Sequence, residues 1–382
     1  MVTLKSAFRP TLAGLIAALL LPMTSGCSNS SDSSPDIIGD DTRMNEVQYL
    51  GSHNSYHVRA RDDLFAVLLA FIPDIAPTLD YSHAPLQEQF DNQGIRQIEL
   101  DIFDDPMGGL YANHPARTLF GEDPASGIPE LDEPGLKVLH VQDIDYETTC
   151  YTFVSCLEEI KAWSDAHPGH LPITVLVEAK DDEIPDPLNL GFVTPLPFGM
   201  EALNRIDDEV RSVFPPEQLL VPDDVRGDYA TLEAAVLTEG WPRLSQARGK
   251  IMFALDNTGS ARELYIAGHT SLQGRVLFTD SPAGTPEAAF MKRNDPLANP
   301  GDIESLVKLG YMVRTRADAD TEQARTGDTT QRDAALSSGA HFISTDYPVP
   351  DLRFSDYQVT LPGGGIARCN PVNPGSCNDD RL

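Results

Sequence analysis

The sequence predicts an α/β protein whose main domain is a (β/α)8 barrel. Short apolar runs that read as strands buried on both faces alternate with stretches of helical period, the signature of a parallel sheet covered by helices. Nine such runs compete for about eight places. No Gly-rich dinucleotide loop follows the first run, so the rival, an open doubly wound sheet, lacks its usual support.

Taken in order, residues 1–26 read as a signal segment of lipoprotein type. Lys5 and Arg9 make a basic start, LAGLIAALLLP is an apolar core too short for an ordinary membrane span, and TSGC ends at Cys27, the expected lipidation site. Thr24 stands where such motifs usually carry Leu, so ordinary secretion with a free Cys27, or a simple membrane anchor, is the alternative; each implies export. Residues 27–44 are polar and acidic and read as a flexible tether. The barrel is expected over 45–350 and a short appendage, closed by a disulfide, over 351–382.

Within the barrel the strand candidates are VQYLGSH, RQIELDIF, KVLHVQDI, PITVLVEAK, QLLVPDD, GKIMFALDN, GRVLFTDS, GYMVRTRA and AHFISTDYP. Between them PLQEQFDNQG, TFVSCLEEIKAWSDAHPG, EALNRIDDEVRSVF, DIESLVKLG and TQRDAALSSG read as helices, several ended by Gly as a C-cap requires. Leaving Cys27 aside, Cys150 with Cys156 and Cys369 with Cys377 form two close pairs. In an oxidising compartment these suggest two local disulfides, although four cysteines allow three pairings. Their spacing is not that of a zinc site.

With 58 acidic against 28 basic residues the net charge is −30, which argues against nucleic acid or an anionic bilayer as an electrostatic partner. An anionic substrate then needs a local reversal of the field, and a bound cation supplies one.

Barrel chemistry sits where strands end. Reading those ends in order gives His53 and Asn54, then Glu99 and Asp101, then His140, then Glu178 and Lys180. Glu99 and Asp101 share one face of a strand, as do Glu178 and Lys180, and that face is the barrel interior. Carboxylates crowded in one apolar mouth repel each other unless a cation joins them. Oxygen donors from Asn54, Glu99, Asp101 and Glu178 suit a hard cation, with Ca2+ favoured over Mg2+ because it tolerates ligands drawn from separate strands.

These residues carry a resemblance. GSHNSYH, YSHAPLQEQFDNQGIRQIELDIF, VLHVQDID, WSDAHPGHLPITVLVEAKDD, GKIMFALDN and VRTRADADTEQARTGDTTQRDAALSSGAHFISTDYP resemble the bacterial Ca2+-dependent phosphoinositide-specific phospholipase C family over residues 45 to 350. The resemblance implies a TIM-barrel phosphodiesterase that cleaves phosphatidylinositol lipids between glycerol and phosphate through an inositol cyclic phosphate. It implies Asn54, Glu99, Asp101 and Glu178 as calcium ligands and His53 and His140 as catalytic histidines. Eukaryotic relatives carry lysines on the strand that here reads KIMFALDN, where Ala254 and Asp256 stand, so an unphosphorylated ring is the expected headgroup.

The chemistry can be stated without the family. A neighbouring hydroxyl must lose its proton, the phosphoryl charge must be stabilised and the leaving alkoxide must be protonated. A carboxylate or a histidine takes the first proton, His53 bonds a phosphoryl oxygen, and His140 protonates the leaving diacylglycerol. Lys180, Arg314 and Arg316 are candidate substrate contacts, although Lys180 could simply neutralise Glu178. His57, His83, His114, His167, His170 and His341 read as structural, and Asp346 as a loop cap. Two apolar stretches, LFAVLLAFIPDIAPTL and IPDPLNLGFVTPLPF, leave the active face either as covering packing or as a rim that dips into lipid. The expected partner is a phospholipid at a membrane surface, and no protein partner is implied. Another barrel phosphodiesterase, such as a glycerophosphodiesterase, and an exported binding lipoprotein without turnover are the competing functions.

Overall fold

The computed structural model describes residues 41–299 and 301–382. The signal segment, Cys27 and the tether up to residue 40 lie outside the described residues.

Eight parallel strands form a curled sheet: β1 (Val47–Ser52), β2 (Ile95–Phe103), β3 (Ile173–Ala179), β4 (Ile251–Leu255), β5 (Leu277–Thr279), β6 (Phe290–Lys292), β7 (Met312–Arg316) and β8 (Phe342–Thr345). Neighbours in sequence are neighbours in space, and β8 returns to pair with β1 in the register Tyr49↔Phe342 to Ser52↔Thr345. One seam is thin, for β5 and β6 meet through a single parallel bridge, Asp280↔Phe290. Nearly every strand residue is buried, as a sheet covered on both faces demands.

All five helices read from the sequence form: α1 (Leu86–Asn92), α2 (Phe153–Ala166), α3 (Met200–Val213), α4 (Asp302–Leu309) and α5 (Thr330–Ser337). Thr152 caps α2 by accepting from Ser155 N. Gly310 ends α4 in the left-handed region (φ 106°), where its N–H reaches the carbonyls of Leu306 and Val307. The first apolar stretch contains a further helix, Asp62–Phe71.

Two expected strands are corrected. KVLHVQDI is not a barrel stave: only Lys137–Val138 is extended, antiparallel to β2, and His140 sits in the long β2–β3 connection. QLLVPDD supplies two residues, Leu219–Leu220, beside the base of β4. The missing stave is β6, three residues too short to show a period. At the C-terminus Ala367–Cys369 pairs antiparallel with Val47–Tyr49, below the point where β2 begins its pairing with β1. Disulfides join Cys150 to Cys156 and Cys369 to Cys377.

Candidate active site

A tight turn follows β1. Asn54 takes a left-handed conformation (φ 44°), which asparagine tolerates better than most residues. Buried Gln89 of α1 clamps the turn: its Nε2 donates to the carbonyls of Ser55 and Ala84, each at 2.6 Å, and its Oε1 accepts from Ser52 Oγ at 2.7 Å. Ser55 N donates to Glu99 O (2.9 Å) and Ser55 Oγ accepts from Glu99 N (2.8 Å), which fixes the turn against β2.

Three of the four expected oxygen ligands come together. Asp101 of β2 and Glu178 of β3 are register partners, and one oxygen each from Glu99, Asp101 and Glu178 lies within 4.8 Å of the others. Asn54 Nδ2 donates to Tyr81 OH at 3.0 Å, while Asn54 Oδ1 is buried without a hydrogen-bond partner. Both oxygens of Asp101 are likewise buried and accept no hydrogen bond, with Lys180 Nζ 3.2 Å from Oδ2 as an ion pair. Burial pushes Glu99 up to about 7 against the pull of Arg314, with Asp256 and Glu178 adding to the rise. Burial likewise holds Asp101 well above the ordinary carboxylate range, and Lys180 only partly offsets it. An all-oxygen donor set of this kind, held in part by Lys180 and Arg314, fits a hard divalent cation.

Each expected histidine has an aspartate behind it. His53 Nδ1 is 2.8 Å from Asp346 Oδ1, and Arg316 Nη1 is 3.3 Å from His53 Nε2. A guanidinium can only donate, so Nε2 accepts and the Nδ1–H donates to Asp346. Arg316 Nη2 donates to the other oxygen of Asp346 at 3.1 Å. Burial holds His53 well below its ordinary value, Arg316 adds to the fall, and Asp346 opposes it.

His140 Nδ1 is 2.6 Å from Asp145 Oδ2, and His57 Nε2 reaches the same oxygen at 2.8 Å. Asp145 is fully buried, yet the two imidazoles overcome the effect of burial and hold it below the usual carboxylate range. Burial lowers His140 and Asp145 works against that.

The three candidate substrate contacts have different surroundings. Lys180 lies between Asp101 and Glu178 (3.2 and 3.5 Å) with a side chain 27% exposed, and Arg316 is 13% exposed beside His53. Arg314 is 1% exposed and sunk beneath the mouth, donating to Glu99 Oε2 (2.5 Å), Ser344 Oγ (3.1 Å) and Asn294 Oδ1 (2.5 Å). Lys292, at the end of β6, is ion-paired with Asp256.

Sequence reasoning missed Asp145 and Gln89, read His57 as structural, and read Asp346 as a cap. The spacing in HVQDID, with Asp145 five residues beyond His140, was the signal for the first. Nothing local announces that Asp346 meets His53, because the two strands that carry them are adjacent only once the ring closes.

Residues 42–371 match the family described as phosphoinositide phospholipase C, Ca2+-dependent. Among solved structures, a calcium-dependent phosphoinositol-specific phospholipase C from a Pseudomonas species aligns over 87% of this chain and 97% of its own, at 17% identity and a TM-score of 0.50. A Ca2+-dependent phosphatidylinositol-specific phospholipase C from Streptomyces antibioticus aligns over 80% and 95%, at 18% identity and a TM-score of 0.48. No curated protein matches the chain. The fold is that of the Pseudomonas structure, and the match over nearly the whole described chain shows that the protein belongs to the Ca2+-dependent phosphoinositide phospholipase C family, whose members are phosphodiesterases.

Proposed function

We propose that this phosphodiesterase cleaves phosphatidylinositol with an unphosphorylated ring, releasing diacylglycerol and inositol 1,2-cyclic phosphate or its hydrolysis product. The observation that carries the reading is the pairing of His53 with Asp346 and of His140 with Asp145, beside the carboxylate cluster of Glu99, Asp101 and Glu178. Ca2+ held by Asn54, Glu99, Asp101 and Glu178 would neutralise phosphoryl charge and acidify the inositol 2-hydroxyl.

The residues divide the remaining work. Neutral His53, with Nε2 as acceptor, takes the 2-hydroxyl proton as that oxygen attacks phosphorus. The imidazolium so formed is stabilised by Asp346 and donates to a phosphoryl oxygen, with Arg316 beside it. The phosphorus–oxygen bond to glycerol breaks, and His140 gives that oxygen its proton from Nε2 while Asp145 holds Nδ1–H. Burial leaves His140 largely neutral in the free protein near pH 7; the anionic phosphodiester favours its protonated form. Asp256 neutralises Lys292, which removes a cation that a ring phosphate would need and supports the unphosphorylated headgroup.

Residues 1–27 support export with a lipid anchor at Cys27, and two disulfides suit that compartment. The substrate then lies at a membrane surface. The test is hydrolysis of phosphatidylinositol vesicles by the mature protein with Ca2+ and with chelator, beside His53→Ala and Glu178→Ala. Diacylglycerol release that falls at least about a hundredfold with chelator and in both variants is expected. Cleavage of glycerophosphoinositol with lipid untouched would replace this reading by a glycerophosphodiesterase.

A further inference from the structure

Beside the mouth lies an apolar cleft of about 370 Å³ with no catalytic residue in its walls. One wall is the first apolar stretch, through Val67, Phe71, Ile72 and Ile75; the other is the second stretch, through Ile184 and Phe192. Segments far apart in sequence thus build one feature. Polar bonds hold the second stretch in shape and tie it to the turn after His140: Asp143 Oδ2 accepts from Val193 N at 2.7 Å, and Asp186 accepts from Leu190 N (2.9 Å) and Gly191 N (2.8 Å). Beneath lies a small buried cluster that includes Leu64, Leu68, Leu79 and Leu139, so the cleft has a packed floor. Phe71 and Ile75 at its edge are 54% and 56% exposed, more apolar surface than a stretch meant only to cover the barrel needs to leave in water.

The occupant follows from continuity with the catalytic groups. Residues 141–145 form a tight turn, Val141 and Asp145 exchanging backbone bonds of 3.1 and 2.9 Å. His140 and Asp145 belong to the catalytic pair, and Val141 and Ile144 of the same turn line the cleft. The group expected to protonate the leaving oxygen is thus joined directly along the chain to a residue of the cleft lining. We infer that the cleft binds one acyl chain of the departing diacylglycerol, a subsite that selects lipid by its chain as the mouth selects it by its headgroup. The inference rests on the phospholipase reading above. A volume of 370 Å³ is more than twice the ~150 Å³ of an apolar cavity that takes up benzene, and it falls in the range of ligand pockets. A neutral chain also avoids the repulsion that a net charge of −30 imposes on anionic groups.

The test uses phosphatidylinositols with two butyryl, hexanoyl or octanoyl chains, all below their aggregation limits, so that no membrane is present. An occupied cleft makes kcat/KM rise with chain length, by about two- to fourfold per methylene that enters. Val67→Trp and Ile184→Trp fill the cleft from opposite walls; both residues are half-buried, and neither belongs to the catalytic groups. Each is expected to flatten the dependence on chain length while keeping activity on the butyryl lipid within about twofold, a control that misfolding could not pass. A wild-type rate that ignores chain length below aggregation, with vesicle activity intact, overturns the inference and leaves the stretches as a rim that meets the bilayer. An unchanged slope in both Trp variants overturns it as well. Failure of every inositol lipid to react, in monomers and vesicles alike, instead overturns the phospholipase reading on which it stands.

Discussion

Asp346 and Asp145 decide what the two histidines can do. Each holds an Nδ1 proton, which leaves Nε2 as the working atom, and neither touches the reacting phosphorus in the proposed mechanism. Asp346→Asn should therefore lower kcat by about 10² to 10⁴ with a much smaller change in KM, because the amide no longer fixes the imidazole tautomer. Steady-state kinetics check this, and a variant that loses KM alone would assign Asp346 to binding. Asp145 makes a sharper pH statement. Its charge raises His140 against burial, so Asp145→Asn lets the histidine fall further. The acid form is then lost at lower pH, and the alkaline limb of kcat/KM moves to more acidic pH in a rate profile. An unmoved limb means that His140 is not the acid.

At the scale of elements, the C-terminal strand is the part with most at stake in one covalent bond. Ala367–Cys369 fills the edge of β1 that β2 does not reach, and Cys377 ties it down. Loop-closure entropy for so short a ring gives a disulfide worth about 2.5 kcal/mol. The double variant Cys369→Ser/Cys377→Ser is expected to lose that much in denaturant unfolding and to keep kcat/KM within about twofold, because the turn bearing His53 is held instead by Gln89 and Glu99. A large fall in kcat would show that the base of β1 positions its top. The β2–β3 connection teaches a related lesson. It holds no barrel strand, yet it carries both His140 and part of the lining of the cleft, because a long connection at the active end of a barrel can fold back over the mouth.

For the whole molecule the governing fact is a crowd of carboxylates in an acidic chain. Glu99 and Asp101 have folded pKa values above their unfolded ones, so without a cation Glu99 destabilises the fold progressively as pH rises from about 4.5 toward about 7, and Asp101 acts in the same direction. Burial holds His83, His114 and His341 at about 4, which acts in the opposite sense, since the unfolded chain takes up protons there as pH falls toward that value. The net curve is thus a poor reporter, and the difference between Ca2+ and chelator is the useful one. That difference in Tm is expected to grow from pH 5 to pH 7.5, because the cation displaces protons from Glu99 and Asp101. A difference that is flat with pH means that Ca2+ binds elsewhere. No helix among the described residues is long and apolar enough to cross a membrane.

The sequence by itself determined the barrel class, all five of the helices read from it and the clustering of Glu99, Asp101 and Glu178. Each of those follows from a period of two or 3.6 residues, or from a strand end, all visible within a window of about ten residues. It erred where the signal was shorter than a period, as at β6, or where an apolar run such as KVLHVQDI imitated a strand. Tertiary structure alone decided which aspartate serves which histidine, that Arg314 is a buried counterion of Glu99, and that two distant apolar stretches share one cleft. Those are contacts between side chains as many as 293 residues apart, and their partners are chosen by strand order and ring closure, which no local pattern of residues encodes.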